Sequence, residues 1–224
     1  MRFTKNILFK TFKNNLNTSS TRKIFLSTIK NKNEVLDSLS RDYKYSFSNK
    51  FIKRFKKKFL FLRIIGMGGS ILGTKAIFRF LNFKIKKKIV FIDNLSPSIK
   101  NKKLKKNTLN LIVSKSGSTL ETIVNTNVLI NKKQNNIFIT ENTGNYLKLL
   151  AKKLKSEIIH HNNFIGGRYS VLSEVGMLPA SLVGLNEKNF KQFNNLIKNK
   201  NFTNSLISNV ANILFMIKKK TFNS

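Results

Sequence analysis

Three stretches of this 224-residue sequence combine glycines, hydroxyls and cations in ways that can do chemistry. The first is IIGMGGSILGTKA, residues 64–76, where Gly66, Gly68 and Gly69 allow close backbone approach and Ser70 adds a hydroxyl at the start of a helix. The second is IVSKSGSTLET, residues 112–122, in which Ser114, Ser116, Ser118 and Thr119 surround Gly117, with Lys115 among them. A helix that follows such a loop turns its amides and its dipole toward an anion, so a phosphate ester suits it. The competing reading is a plain turn closed by a capping box, because Ser118 and Glu121 have that spacing. The third is GGRYSVLSEVGMLPA, residues 166–180. There Gly166 and Gly167 bring the chain close to a ligand, and Arg168 supplies a planar cation able to stabilise negative charge on a reacting oxygen. A surface arginine after a turn is the plainer alternative.

The glycines at 66, 68, 69 and 73 do not follow the dinucleotide fingerprint, and no Walker lysine motif occurs. A small phosphorylated metabolite is therefore the expected ligand. His160 and His161 are adjacent, and neighbours on a strand point to opposite faces, so they do not make a metal pair and no metal is expected.

The elements that must hold these stretches are legible in the pattern. Apolar runs at 59–66, 88–93, 109–114, 136–140 and, more weakly, 157–160 alternate with helix candidates at 71–81, 96–104, 119–132 and 145–155. Apolar strands separated by crossover helices predict a doubly wound α/β fold, a parallel sheet with helices on both faces. Ligands in such folds bind beyond the carboxyl ends of the strands, which is where the three stretches fall. The expected division is an N-terminal helical region over 1–58, with breaks at Asn17–Thr21 and Ser46–Asn49, an α/β domain over 59–185 and a helical segment over 186–224.

With 41% hydrophobic residues and 20 Phe, the chain has material for a real core. The absence of cysteine excludes disulfides and thiolate metal sites. A formal charge of +34 invites a nucleic-acid reading, yet the lysines are spread along the chain, in the manner of codon bias at tolerant surface positions. Nucleic acid is expected to bind only non-specifically. The basic start, MRFTKNILFKTFKN, lacks a secretory apolar core, and the sequence holds no apolar run long enough to span a membrane, so a soluble cytoplasmic protein is expected.

Together, GGS at 68–70, SKSGSTLET at 114–122 and GGRYSVLSEVGMLPA at 166–180 resemble the glucose-6-phosphate isomerase (phosphoglucose isomerase) family in order and spacing. The first two motifs suit sugar isomerase domains in general, including phosphosugar-sensing regulators, whereas the diglycine-arginine motif is more specific. Glu174 departs from the resemblance, standing where the family usually has a small residue or proline. The resemblance implies a cofactor-free aldose–ketose isomerase acting on glucose 6-phosphate and fructose 6-phosphate, usually a homodimer. It implies that Gly69, Ser70, Ser114, Lys115, Ser116, Thr119 and Gly167 hold the substrate. Arg168, the catalytic residue, would stabilise a cis-enediolate. In the family the general base is a glutamate beyond the arginine motif, in a second sugar isomerase domain. This chain is thus expected to correspond to the first half of an isomerase and to bind without robust turnover. Two alternatives stay open: a catalytically inactive phosphosugar-binding module, and a basic nucleic-acid binder.

Overall fold

The computed structural model describes residues 16–31, 33–96, 107–191 and 193–219. Contacts group the chain into two units: one runs from Asp42 to Lys191, and the other combines the residues up to Arg41 with those after Lys191.

The larger unit holds a five-stranded sheet formed by β1 (Phe61–Gly66), β2 (Lys88–Ile92), β3 (Thr108–Val113), β4 (Asn135–Glu141) and β5 (Glu157–His161). Every pairing is parallel, in the order β2-β1-β3-β4-β5. All five expected strands form, and the fold is the doubly wound α/β architecture that their apolar texture predicts. The chain goes from β1 to one side of the sheet and then returns to the other, so strand order reverses between β1 and β3.

Alternation along the strands feeds two cores. Leu62 and Ile64, Leu109 and Leu111, and Ile137 and Ile139 pack with Ile52 and Phe55 of a short helix (Asn49–Lys56), and with buried residues of two further helices, Gly69–Phe80 and Glu174–Leu182. Their neighbours Ile65, Ile112 and Phe138 form the second core with Leu129, Leu147 and Ala151, from helices Leu120–Leu129 and Tyr146–Lys153. In chain order these helices are α3, α4, α5, α6 and α7 once α1 (Ser19–Lys30) and α2 (Glu34–Asp37) are counted, α7 being Glu174–Leu182. Three of the expected helices form within two or three residues of their sequence limits. The one expected at 96–104 lies outside the described residues except for Ser96, as do residues 1–15 of the expected N-terminal region.

The sequence pattern does not reveal a polar stripe across the sheet. Arg63, Asn110 and Asn136 stand in register on β1, β3 and β4, all buried. The Asn110 side-chain amide donates to Asn136 Oδ1 (2.8 Å) and to Gln134 Oε1 (3.0 Å), and burial lowers the pKa of the Arg63 guanidinium.

Helix α7 is buried at every position from Glu174 to Leu182 and contains Pro179. Proline has no amide for the carbonyl four residues back. That carbonyl, of Val175, instead accepts the Thr74 hydroxyl of α4 at 3.1 Å. The small residues of this segment pack as expected: a Cβ on Gly176 would meet Val171 O at 2.0 Å.

In the smaller unit, α1 begins at Ser19, inside the break expected at Asn17–Thr21, because Asn17 Oδ1 accepts the Ser19 amide (2.9 Å) and starts the helix there. The long helix α9 (Lys200–Lys218), which follows a five-residue α8 (Phe193–Ile197), is capped by Asn199, whose side chain accepts the Phe202 amide at 3.0 Å. Arg22 of α1 donates to Asn204 Oδ1 of α9 at 2.9 Å. No described helix is long and apolar enough to cross a membrane.

Candidate functional site

Gly66, the last residue of β1, pairs with Val113, the last of β3. The glycine turn and the hydroxyl loop therefore leave the sheet side by side, at the point where strand order reverses. This is the position where open α/β sheets bind ligands.

In the glycine turn, Gly68 is the N-cap of α4 with φ +55°, a left-handed conformation that glycine adopts at little cost. The Ser70 amide is bonded to Met67 O at 3.1 Å, while no hydrogen bond of the Ser70 hydroxyl is found among the described residues.

The hydroxyl loop is held from below. Ser114 extends the β3–β4 ladder by donating its amide to Ile139 O (3.1 Å), and its hydroxyl lies 3.1 Å from Thr119 Oγ1. Gly117 has φ +64°, and a Cβ there would meet Asn145 Oδ1 at 2.1 Å, so conformation and space both demand glycine. Thr119 is the N-cap of α5, but its side chain makes no capping bond. The Ser118 hydroxyl donates to Ser116 Oγ at 3.0 Å. The capping-box alternative is not realised, and the first amide bonded back to the cap carbonyl is that of Ile123, to Thr119 O. The amides ahead of it face the loop, where a helix attracts an anion.

Lys115 points elsewhere. Its ammonium donates to Asn163 O at 2.6 Å, and its own carbonyl accepts from the Glu141 amide (3.0 Å) and the Thr140 hydroxyl (3.1 Å). It stitches the hydroxyl loop to the ends of β4 and β5. Nearby, His161 is buried while His160 is exposed, as strand alternation predicts. Burial and the adjacent Lys115 charge push the His161 imidazole down to about 4. Among the described residues no group of three or more metal-ligating side chains occurs.

The arginine motif forms a short 3-10 helix, Gly167–Leu172, in which Tyr169 N donates to Gly166 O (2.9 Å) and the Ser170 hydroxyl to Gly167 O (2.8 Å). Its first residue meets the glycine turn: a Cβ on Gly69 would lie 2.3 Å from the Gly167 carbonyl carbon. A Cβ on Gly167, by contrast, would find Gly69 at an ordinary 3.6 Å. The close approach that the glycines allow is thus made between two turns of the protein itself. Beside this contact lies a cleft of about 640 Å³ lined by Gly68, Gly69, Leu72, Gly73, Gly167, Arg168 and Val171. Arg168 is exposed, with no hydrogen bond or ion pair of its side chain among the described residues.

The structure therefore brings Gly69, Gly167 and Arg168 together around one cleft, with Ser70 beside Gly69. Ser114, Lys115, Ser116 and Thr119 are on the adjoining strand end and contribute no wall to that cleft. None of the nine carboxylates lines it either. Asp93 is paired with Lys75, Glu157 with Arg54, and Glu141 accepts from Thr143. Glu174 is buried, accepting from the Tyr43 hydroxyl, 3.2 Å from both its oxygens, and from the Ser46 amide at 3.2 Å. Burial raises its pKa despite these bonds. From its place in the helix this acid reads as a cap, a dipole partner or a surface charge, and its burial against Tyr43 has no local signal.

A parallel sheet in this order, with a glycine turn, a hydroxyl loop and an arginine turn at its carboxyl edge, defines a sugar isomerase type of α/β domain. A hypothetical protein from Thermus thermophilus shares the fold with a TM-score of 0.66 and 20% identity, over 89% of this chain and 52% of that one. The sequence model of the phosphoglucose isomerase family matches residues 25–219, and the chain belongs to that family. Among its relatives, the glucose-6-phosphate isomerase of Methanocaldococcus jannaschii is 38% identical over 133 residues, 54% of this chain and 32% of the relative. That of Mesomycoplasma hyopneumoniae strain 232 is 33% identical over 171 residues, 67% of this chain and 39% of the relative. The chain spans less than half the length of these curated relatives.

Proposed function

We propose that this chain binds the phosphorylated hexose of an aldose–ketose isomerisation, glucose 6-phosphate interconverting with fructose 6-phosphate. The observation that carries the reading is the Gly69–Gly167 contact, with an exposed, unbonded Arg168 beside it at the same strand ends as the hydroxyl loop. In this reading Ser114, Ser116 and Thr119, with the first amides of α5, hold the phosphate, Ser70 and Gly69 hold the sugar, and Lys115 braces the loop. As a proton moves between C2 and C1, charge accumulates on the enediolate oxygens. The Arg168 guanidinium, which has no bonded partner among the described residues to give up, stabilises that charge.

A general base must reach the C2 proton, and the cleft wall offers no carboxylate. Binding without robust turnover is therefore the expected behaviour of these 224 residues. The same observation favours the second reading, a phosphosugar-binding module. A homodimer is the assembly expected from the resemblance, and sedimentation measures it.

Titration calorimetry with fructose 6-phosphate, fructose and inorganic phosphate, beside a coupled isomerase assay, tests the proposal. Fructose 6-phosphate is expected to bind more tightly than either fragment. Equal affinity for inorganic phosphate would reduce the site to a general anion site, and fast turnover would overturn the argument from the missing base. Protection of the fold by RNA but not by fructose 6-phosphate would favour the nucleic-acid reading.

A further inference from the structure

We infer that Glu174 and Lys191 are positioning residues for Arg168, forming a buried latch that closes the far end of the turn carrying it. The inference rests on the reading of Arg168 as the cation facing the sugar phosphate. The turn Gly167–Leu172 is fixed at its entry by the contact with Gly69, and its exit needs an anchor of its own. Lys191 supplies one, since its ammonium donates to the carbonyl of Leu172, the last residue of the turn, at 2.5 Å. Glu174 supplies the other, two residues further on. Its carboxylate accepts the Tyr43 hydroxyl and the Ser46 amide, and Ser46 in turn donates its hydroxyl to His160 O at 2.6 Å. The strand end from which the chain enters the arginine motif and the helix into which it leaves are thus tied to the same short segment, Tyr43–Ser46.

The latch is made of groups that are costly to bury and that attract each other. Lys191 is 5% exposed, Glu174 2%. The ammonium lies 4.9 Å from the ring centres of both Tyr43 and Tyr45, an arrangement in which aromatic faces attract a cation. Four titratable groups face it: Tyr43, Tyr45, Glu174 and Glu187, the last accepting the Ser181 hydroxyl at 3.1 Å. Burial brings Lys191 down to about 8 against the pull of the two carboxylates, and burial chiefly raises the Tyr45 phenol. Arg168 is exposed, and it is Lys191 that anchors the turn.

The experiment follows the Tyr169 and Ser173 amides, bonded to Gly166 O (2.9 Å) and Ser170 O (3.1 Å), by hydrogen exchange in the whole chain. Wild type is compared with Glu174→Gln and Lys191→Met, with the sheet amides of Leu111 and Ile139 as references. Exchange at Tyr169 and Ser173 is expected to quicken roughly tenfold in each variant while the references hold. Fructose 6-phosphate affinity is expected to fall roughly tenfold in step, with a break near pH 8 in wild type that Lys191→Met lacks. A purely structural role would not produce that break. Unchanged exchange in both variants overturns the latch, and so does loosened exchange with full affinity. A wild type that binds no fructose 6-phosphate, while exchange still quickens in the variants, supports the latch and removes the reading of the cleft.

Discussion

Arg168 and Lys191 attend opposite ends of one six-residue turn and live in opposite environments. Arg168 is exposed beside a cleft, and its side chain has no bonded partner among the described residues. Lys191 is buried between two tyrosine rings and two carboxylates, with its proton committed to Leu172 O. Structural cations are recognised by the partners they already have. In the proposed reading, Arg168 is the cation left for a ligand.

Four measurements break or sharpen that contrast, beginning with the largest effect. Gly69→Ala forces a Cβ into backbone of the facing turn, 2.3 Å from the nearest atom, and is expected to cost about 3 kcal/mol in urea unfolding and to spoil ligand binding together with stability. Arg168→Ala should do only the second of these. A loss of about 2 kcal/mol, roughly 30-fold in the fructose 6-phosphate dissociation constant, is expected with an unchanged Tm. A large drop in Tm would show that Arg168 is structural after all.

The third measurement is stability against pH. Lys191 holds its proton less tightly in the fold, at about 8, than in the unfolded chain, near 10.5. Between those values the unfolded chain binds more protons, so stability rises with pH, by a few kcal/mol across the window. The cost is carried in full below about pH 8. Lys191→Met should flatten the rise and Arg168→Ala should leave it intact. The smallest effect is expected of Gly167→Ala, within about 0.5 kcal/mol, because its Cβ would rest 3.6 Å from Gly69 and its φ is not in the left-handed region. Equal penalties at Gly69 and Gly167 would contradict the geometry of the contact.

What can be read from the sequence is local. Runs such as LNLIVS and NIFIT announce buried strands because β-branched and apolar residues fill both faces of a parallel sheet. The glycine turn and the hydroxyl loop follow such runs directly, so their place at the carboxyl edge comes with the strands. The latch is illegible because its members are remote: Tyr43 and Glu174 are separated by 131 positions, and nothing near either announces the other. Arg63, Asn110 and Asn136 are hidden differently. Arg63 and Asn110 are single polar residues inside apolar runs and Asn136 opens one, and only the register of three strands makes them a stripe. The Ser118–Glu121 spacing misleads because the cap falls one residue later, on Thr119, whose hydroxyl faces Ser114.

Pro179 has a mechanical consequence. By vacating the Val175 carbonyl it hands that acceptor to Thr74, and so fastens α7 to α4 at a single axial setting. The glycine turn opens α4 and the arginine turn runs into α7, so neither can slide along its helix axis without carrying the other. The two lips of the cleft are joined through their stems by that bond.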